Sequence, residues 1–169
     1  MDTTTIYSCY NETYLLNDGT HVNCEIMDTG GQEKFDALNR QYYQRADCCI
    51  LVYDITDLES FQNLNSWLIE IEKNASKNVY KILVGNKCDM ESERKVTVEQ
   101  GKDFATQYGM KFFETSAKES TNVSDAFVAM TREIIKSQDG KKKQATTNNN
   151  VVVSNAPTGQ SLNKKGGCC

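Results

Sequence analysis

Two short polar segments carry the chemistry of this sequence, and each follows a run of apolar residues. They are residues 86–89, Asn-Lys-Cys-Asp, and residues 114–118, Glu-Thr-Ser-Ala-Lys. The carboxylate of Asp89 can accept hydrogen bonds from two parallel N–H donors at once, which is a bidentate, charge-assisted arrangement. Guanine presents such a pair through its ring N–H and exocyclic amine, whereas adenine does not. A site built this way rejects adenine, because the carboxylate would be left unpaired.

The residues around Asp89 can complete a pocket for that base. Asn86 can hold the loop and touch the base edge, and Lys87 and Lys118 can lay their aliphatic stems over its two faces. The backbone N–H of Ala117 can donate to the carbonyl oxygen of the base. Residues 86–89 alone could equally be an ordinary charged loop. With Ser116 and its neighbours following a second strand in the right order, the pattern predicts guanine-nucleotide binding.

Alternating strand and helix patterns must position these segments. Strands are predicted at 10–16 and 20–27, joined by an Asp-Gly turn, and at 48–55, 80–85 and 111–114. Helices are predicted near 58–74, 97–108 and 122–137 from apolar residues at helical spacing and from the capping residues Asp57 and Thr97 with Gln100. This order favours an α/β fold with a mostly parallel sheet and one antiparallel hairpin strand, with helices on both faces. The polar segments then lie at the carboxyl ends of strands, where such sheets bind ligands.

Further motifs extend the pattern to a known family. Residues 28–33, Asp-Thr-Gly-Gly-Gln-Glu, follow a strand-like run, and residues 51–56 read Leu-Val-Tyr-Asp-Ile-Thr. With the two polar segments and the final Cys168-Cys169, the sequence resembles the Rab family of Ras-like small GTPases from about Thr5 to Ser137. The resemblance implies a small-GTPase (P-loop NTPase-like) fold, binding of GTP or GDP with Mg²⁺, and regulation of vesicle traffic. It also implies Rab-type escort, exchange and effector proteins as partners.

The same resemblance implies roles for four residues near the start of the chain. Asp28 matches the Mg²⁺-associated aspartate of the family, and Gly31 matches the glycine whose N–H meets the γ-phosphate. Gln32 matches the glutamine that orients the attacking water, which makes it the catalytic candidate. Thr5 aligns with the switch threonine whose hydroxyl contacts Mg²⁺. Outside this pattern, Gly-Gly after a strand would indicate only a turn.

One expected motif is missing, since no Gly-x-x-x-x-Gly-Lys-Ser/Thr occurs in the 169 residues. In the family this phosphate loop comes first, between a strand and a helix, and Met1 sits just ahead of what would be the first switch. Its N–H groups cradle the phosphates, its Lys neutralises them and its Ser/Thr holds Mg²⁺. We therefore expect residues 1–138 to form a truncated domain with weak nucleotide affinity and negligible hydrolysis.

Three interpretations remain open on the sequence alone. The chain is an incompletely described Rab-like GTPase, a membrane-tethered pseudo-GTPase that binds partners without turning nucleotide over, or a nonfunctional truncated product. The loss of the first strand, which is central in the family's sheet, would also expose two strand edges. In-frame phosphate-loop codons upstream of Met1 would establish the first interpretation.

Charge divides the chain at about residue 138. Residues 1–138 carry 14 Lys and Arg against 22 Asp and Glu, which argues against nucleic-acid binding. Residues 139–169 carry five Lys and one Asp, and their composition predicts a disordered tail. Cys168 and Cys169 resemble the family's double geranylgeranylation signal, and two lipid chains give stable anchoring. We expect a lipid-anchored protein on the cytoplasmic face of membranes, or a cytosolic one if the cysteines stay unmodified.

Overall fold

The computed structural model describes residues 8–16, 18–28 and 36–147, which form five strands and five α-helices. The strands are β1 Ser8–Leu15, β2 His21–Asp28, β3 Cys48–Asp54, β4 Tyr80–Asn86 and β5 Lys111–Thr115. The helices are α1 Asp36–Arg45, α2 Leu58–Gln62, α3 Leu64–Asn74, α4 Val98–Gln107 and α5 Val123–Thr147. A 3₁₀ turn at Glu91–Glu93 lies between β4 and α4.

The core of the fold is a parallel sheet in the order β3-β4-β5. Ile50 pairs with Ile82 across β3 and β4, and Val84 pairs with Phe113 across β4 and β5. The predicted parallel pairing of segments 49–55 and 80–86 is confirmed. Long apolar runs form these strands because helices cover both faces of a parallel sheet.

Each face of this sheet has its own helical layer, as the sequence predicted. Leu51, Tyr53 and Leu83 pack against α3 and α4, whereas Ile82 and Val84 pack against α5. Tyr53 is 1% exposed, and its ring lies close to both β4 and α4. Each of these elements has a glycine where it faces the ring. A Cβ at position 85 would lie 2.8 Å from the Tyr53 hydroxyl, and a Cβ at position 101 would lie 2.5 Å from it.

The antiparallel hairpin forms a sheet of its own. β1 pairs with β2 from Ser8 opposite Asp28 to Leu15 opposite His21, and Gly19 turns the chain at a φ of 83°. The α/β class that the sequence predicted is confirmed, and within the described residues no ladder joins β2 to β3. The hairpin packs on α5 instead, with the rings of Tyr14 and Phe127 stacked at 5.4 Å.

Side-chain hydrogen bonds cap the first turns of α2 and α4. Asp57 accepts from the Glu59 N–H, and Thr97 forms a reciprocal capping box with Gln100, as predicted. The predicted helix 58–74 is two helices separated only by Asn63, whose backbone stays helical at φ −70° and ψ −12°.

The last helix runs further than the sequence predicted. Residues 139–147, expected to be disordered, continue α5 to Thr147, because Lys, Gln and Ala are good helix formers. Residues 148–169 lie outside the described part of the chain. No helix that the structure describes is both long enough and apolar enough to cross a membrane.

Candidate functional site

The two polar segments meet at the carboxyl end of the parallel sheet. Asn86 ends β4, and its register partner Thr115 ends β5. The Asn86 Oδ1 accepts from the Ala117 N–H at 3.2 Å and from the Thr115 hydroxyl at 3.3 Å, while the Cys88 N–H donates to the Thr115 carbonyl at 3.0 Å. Asn86 therefore joins the two loops.

This contact changes one expectation for the site. The Ala117 N–H was expected to donate to a base carbonyl, but in the structure it already donates to Asn86. An amide N–H has one hydrogen, so the Ala117 N–H can donate to a base only if its hydrogen bond to Asn86 is broken or shared. The exchange would leave the Asn86 amide free to turn toward the base edge.

Lys87 connects the site to the end of β3. Its backbone is left-handed, with a φ of 67°, which costs a non-glycine residue about 1–3 kcal/mol. Its ammonium lies 2.7 Å from the Asp54 Oδ2. Burial acts to raise the pKa of Asp54, but hydrogen bonds from Lys87 and Thr56 outweigh it, so the pKa is lowered. The ion pair and the turn together hold the start of the 86–89 loop against β3.

Asp89 presents an exposed carboxylate that is ionised at neutral pH. A hydrogen bond with Ser116 is the largest cause that lowers the pKa of Asp89, followed by its own backbone N–H and the charges of Lys118 and Lys87. Ser116 is completely buried and also accepts from the Glu119 N–H at 3.0 Å. Ser116 thus favours the ionised form of Asp89, and a carboxylate has enough lone pairs to accept further donors.

The loop after β5 is tight and leaves Lys118 accessible. Ser116 and Thr121 exchange backbone hydrogen bonds of 3.1 and 3.0 Å, which closes the loop. The Lys118 side chain is 78% exposed and lies 3.6 Å from the Glu119 carboxylate. Such an exposed pair constrains the lysine little, so its stem can lie over a planar ligand.

Arg94 is a residue of this region that the sequence analysis missed. Its guanidinium donates to both carboxylate oxygens of Glu114, at 2.7 and 3.0 Å, and to Glu91 at 2.6–2.9 Å. It also donates to the Val96 carbonyl at 2.9 Å, and its side chain is 12% exposed. The signal that could have found it was Glu114, since a carboxylate in a buried strand requires a cationic partner. Arg94 therefore ties the loop after β4 to the end of β5.

The remaining predicted site residues are not brought together with this group. Asp28 is exposed at the end of β2, and within the described ranges no hydrogen bond or ion pair links it to another predicted site residue. Thr5, Gly31 and Gln32 lie outside the described residues, as do Cys168 and Cys169. Their proposed roles stay predictions.

We expect Arg94→Met to destabilise the fold, because the Glu114 carboxylate, whose side chain is only 19% exposed, would lose its cationic partner. Removing one partner of a buried pair costs about 3–5 kcal/mol, and the partial exposure here lowers the expected loss to roughly 1–3 kcal/mol. Urea denaturation measures it. Lys136→Met is the matched control, since its exposed pair with Glu133 should contribute less than about 1 kcal/mol. Equal losses in both variants would show that Arg94 does not hold the loops.

Comparison with known proteins assigns the chain to a family. A model described as the Ras family matches residues 2–136. The Ras-related protein RABD2c of Arabidopsis thaliana is 45% identical over 156 residues, covering 90% of this chain and 73% of that protein. The GTP-binding protein ypt2 of Schizosaccharomyces pombe is 44% identical over 142 residues, covering 83% and 71%. The GTP-binding protein YPT1 of Saccharomyces cerevisiae is 45% identical over 154 residues, covering 90% and 75%. The chain therefore belongs to the Ras family of small GTPases, in its Rab branch.

Proposed function

We propose that this chain binds guanine nucleotide through the loops after β4 and β5 and acts as a membrane-tethered Rab protein in vesicle traffic. The observation that carries the proposal is the convergence of Asn86, Asp89 and Ala117 at the ends of two paired strands. Membership of the Rab branch supports GTP or GDP with Mg²⁺ as the ligand, and Rab-type escort, exchange and effector proteins as partners. Asp28 and Thr5 are the proposed contacts for Mg²⁺, and Gly31 is the proposed contact for the γ-phosphate.

The base is selected by charge and donor pattern in this proposal. The Asp89 carboxylate accepts from the ring N–H and the exocyclic amine of guanine, while Ser116 keeps it in place. The carbonyl oxygen of guanine replaces Asn86 as the acceptor for the Ala117 N–H. Lys87 and Lys118 cover the faces of the ring. Adenine offers no matching pair of donors, so the carboxylate would be desolvated without a partner.

We expect Asp89→Ala to abolish the preference for GDP over ADP, measured by equilibrium dialysis of both nucleotides. Hydrogen bonds to a charged group contribute about 1.5–3 kcal/mol, so the preference lost is at least roughly ten-fold. Glu93→Ala is the control, since it removes an exposed carboxylate from the same loop. Because the pKa of Asp89 is lowered, the preference should persist at pH 5 and disappear only as the pH falls through that lowered pKa. Equal affinity of the unmodified chain for GDP and ADP would refute the assignment.

We also propose that the 169-residue polypeptide hydrolyses GTP at or below the slow intrinsic rate of the family, about 10⁻⁴ s⁻¹. Gln32 orients water only against a γ-phosphate that is held in place, and the sequence contains no Gly-x-x-x-x-Gly-Lys-Ser/Thr to hold it. Single-turnover hydrolysis with and without Mg²⁺ measures the rate. Turnover that requires Mg²⁺ and that Gln32→Leu removes would contradict this proposal. Guanine binding without turnover would favour the alternative, a pseudo-GTPase that acts only as a binding module.

The proposed membrane tether is two geranylgeranyl groups on Cys168 and Cys169. One chain gives reversible binding and two give stable anchoring, so changing both cysteines to serine should release the protein to the cytosolic fraction. Lys164 and Lys165 should add only a salt-sensitive contribution that falls off within a Debye length, so changing both to glutamine is the matched control. Cell fractionation and intact mass measure the outcome. Unmodified thiols at both positions would remove the tether from the proposal.

A further inference from the structure

The end of the parallel sheet opposite the candidate site contains a shallow, cation-rimmed cavity. It has a volume of about 250 Å³ and is lined by Ile71, Glu72, Ser76, Lys77, Val79 and Lys81. We call it the basal cavity, because it lies beside the amino end of β4, where Lys81 is the second residue. Its floor is aliphatic, its rim contains two ammonium groups and a hydroxyl, and Glu72 is the one carboxylate that lines it.

The backbone holds these groups in place. In the turn after α3, the Val79 N–H donates to the Ser76 carbonyl at 3.0 Å and the Asn78 N–H donates to the Ser76 Oγ at 3.2 Å. The Ser76 hydroxyl hydrogen remains available as a donor. Lys81 stands opposite Cys49 in the strand register and is half-buried. Burial raises the pKa of the Cys49 thiol to about 11, and the charge of Lys81 acts against this rise.

The two cavity lysines differ from other lysines at the same end of the sheet. Lys111 and Lys136 both bind the Glu133 carboxylate at 3.1 Å. Lys77 and Lys81 form no salt bridge within the residues that the structure describes. Two neighbouring ammonium groups without carboxylate partners favour an anionic ligand.

Charge is unevenly distributed between the two ends of the domain. The end with the basal cavity combines the cations Arg45, Lys73, Lys77, Lys81, Lys111 and Lys136 with the acids Asp47, Glu70, Glu72 and Glu133. Segments 54–59 and 87–95 at the other end are acidic, with Asp54, Asp57, Glu59, Asp89, Glu91 and Glu93 against Lys87, Arg94 and Lys95. A negatively charged surface would therefore attract the cavity end and repel the other.

The chain leaves the domain at the cationic end. α5 begins beside the carboxyl end of β5, and its Glu133 has reached Lys111 at the amino end of β5. The helix continues to Thr147 and includes Lys141, Lys142 and Lys143, and the residues after it add two lysines and no acid. The basal cavity thus lies at the end of the domain toward which α5 runs.

We propose that the basal cavity binds phosphate headgroups of an anionic bilayer and orients the domain with its nucleotide loops away from the membrane. A bilayer fits better than a protein partner, because no aromatic or arginine anchor of the kind that dominates protein interfaces lines the cavity. Lys77, Lys81 and the Ser76 hydroxyl receive the phosphate oxygens. The proposal takes only its biological context, a protein held at a membrane, from the proposed function.

The test uses the full 169-residue chain without lipid modification, so its outcome does not depend on Cys168 and Cys169. Binding to phosphatidylserine-containing vesicles and to neutral phosphatidylcholine vesicles is measured by co-sedimentation. We expect Lys77→Gln with Lys81→Gln to weaken binding to the anionic vesicles by roughly 25-fold, about five-fold for each lysine near the surface. The matched control, Lys95→Gln with Lys102→Gln, removes the same charge elsewhere and should change binding by less than about two-fold. The difference should vanish near 1 M salt, where the Debye length is about 3 Å.

Two further variants and one soluble ligand make the result decisive. Lys77→Arg with Lys81→Arg should restore binding, and urea denaturation should show unchanged stability for both glutamine pairs. Equal weakening by the cavity pair and the control pair would overturn the proposal, because net charge alone would then explain binding. A second outcome would also overturn the proposal: the cavity pair leaves vesicle binding unchanged but lowers the affinity for inorganic phosphate. The cavity would then be assigned to a soluble anion. The proposal would also be overturned if the cavity pair weakened binding to an acidic protein but left vesicle binding unchanged.

Discussion

The parallel register of β4 and β5 ends at Asn86 and Thr115, and the candidate site depends on that register. A shift of one residue would turn the Asn86 side chain to the opposite face of the sheet, since side chains alternate along a strand. The loop after β4 and the loop after β5 would then lose the amide that joins them. The apolar residues of both strands fix the register, because each face of the sheet packs against a different helical layer.

Charge pairs then hold the loops that the register has brought together. Arg94 joins the loop after β4 to Glu114, and Lys87, the first residue of that loop, pairs with Asp54. The first pair is mostly shielded from water and the second is half exposed, so Arg94 contributes more to order. Asp89 receives its hydrogen bond from a buried serine and keeps its own outer surface free. The candidate site is thus held by contacts among its own loops and the ends of the strands.

The hairpin and the parallel sheet are two separate sheets that share α5 as their support. Tyr14 stacks on Phe127, and the Cys24 thiol lies 3.6 Å from the Thr131 hydroxyl. In the described part of the chain the outer edge of β3 has no ladder partner, and Val52 on that strand is 55% exposed. An open apolar edge is a template for pairing with another strand, which makes it an aggregation liability. The described residues therefore combine loops held together at the carboxyl end of the sheet with a β3 edge that has no ladder partner among them.

The sequence by itself determined the family, the parallel sheet, the helix caps and the two polar loops, because each has a local signature. Apolar runs of strand length, Thr97 with Gln100, and Asp89 after Asn86 are all readable along the chain. Tertiary structure alone decided that Ala117 donates to Asn86, that Lys87 pairs with Asp54 and that Arg94 reaches Glu114. It also decided that the hairpin packs on α5. Periodicity reports which face of a segment is buried, whereas these contacts depend on which strand edges meet and which distant side chains they bring within hydrogen-bonding distance.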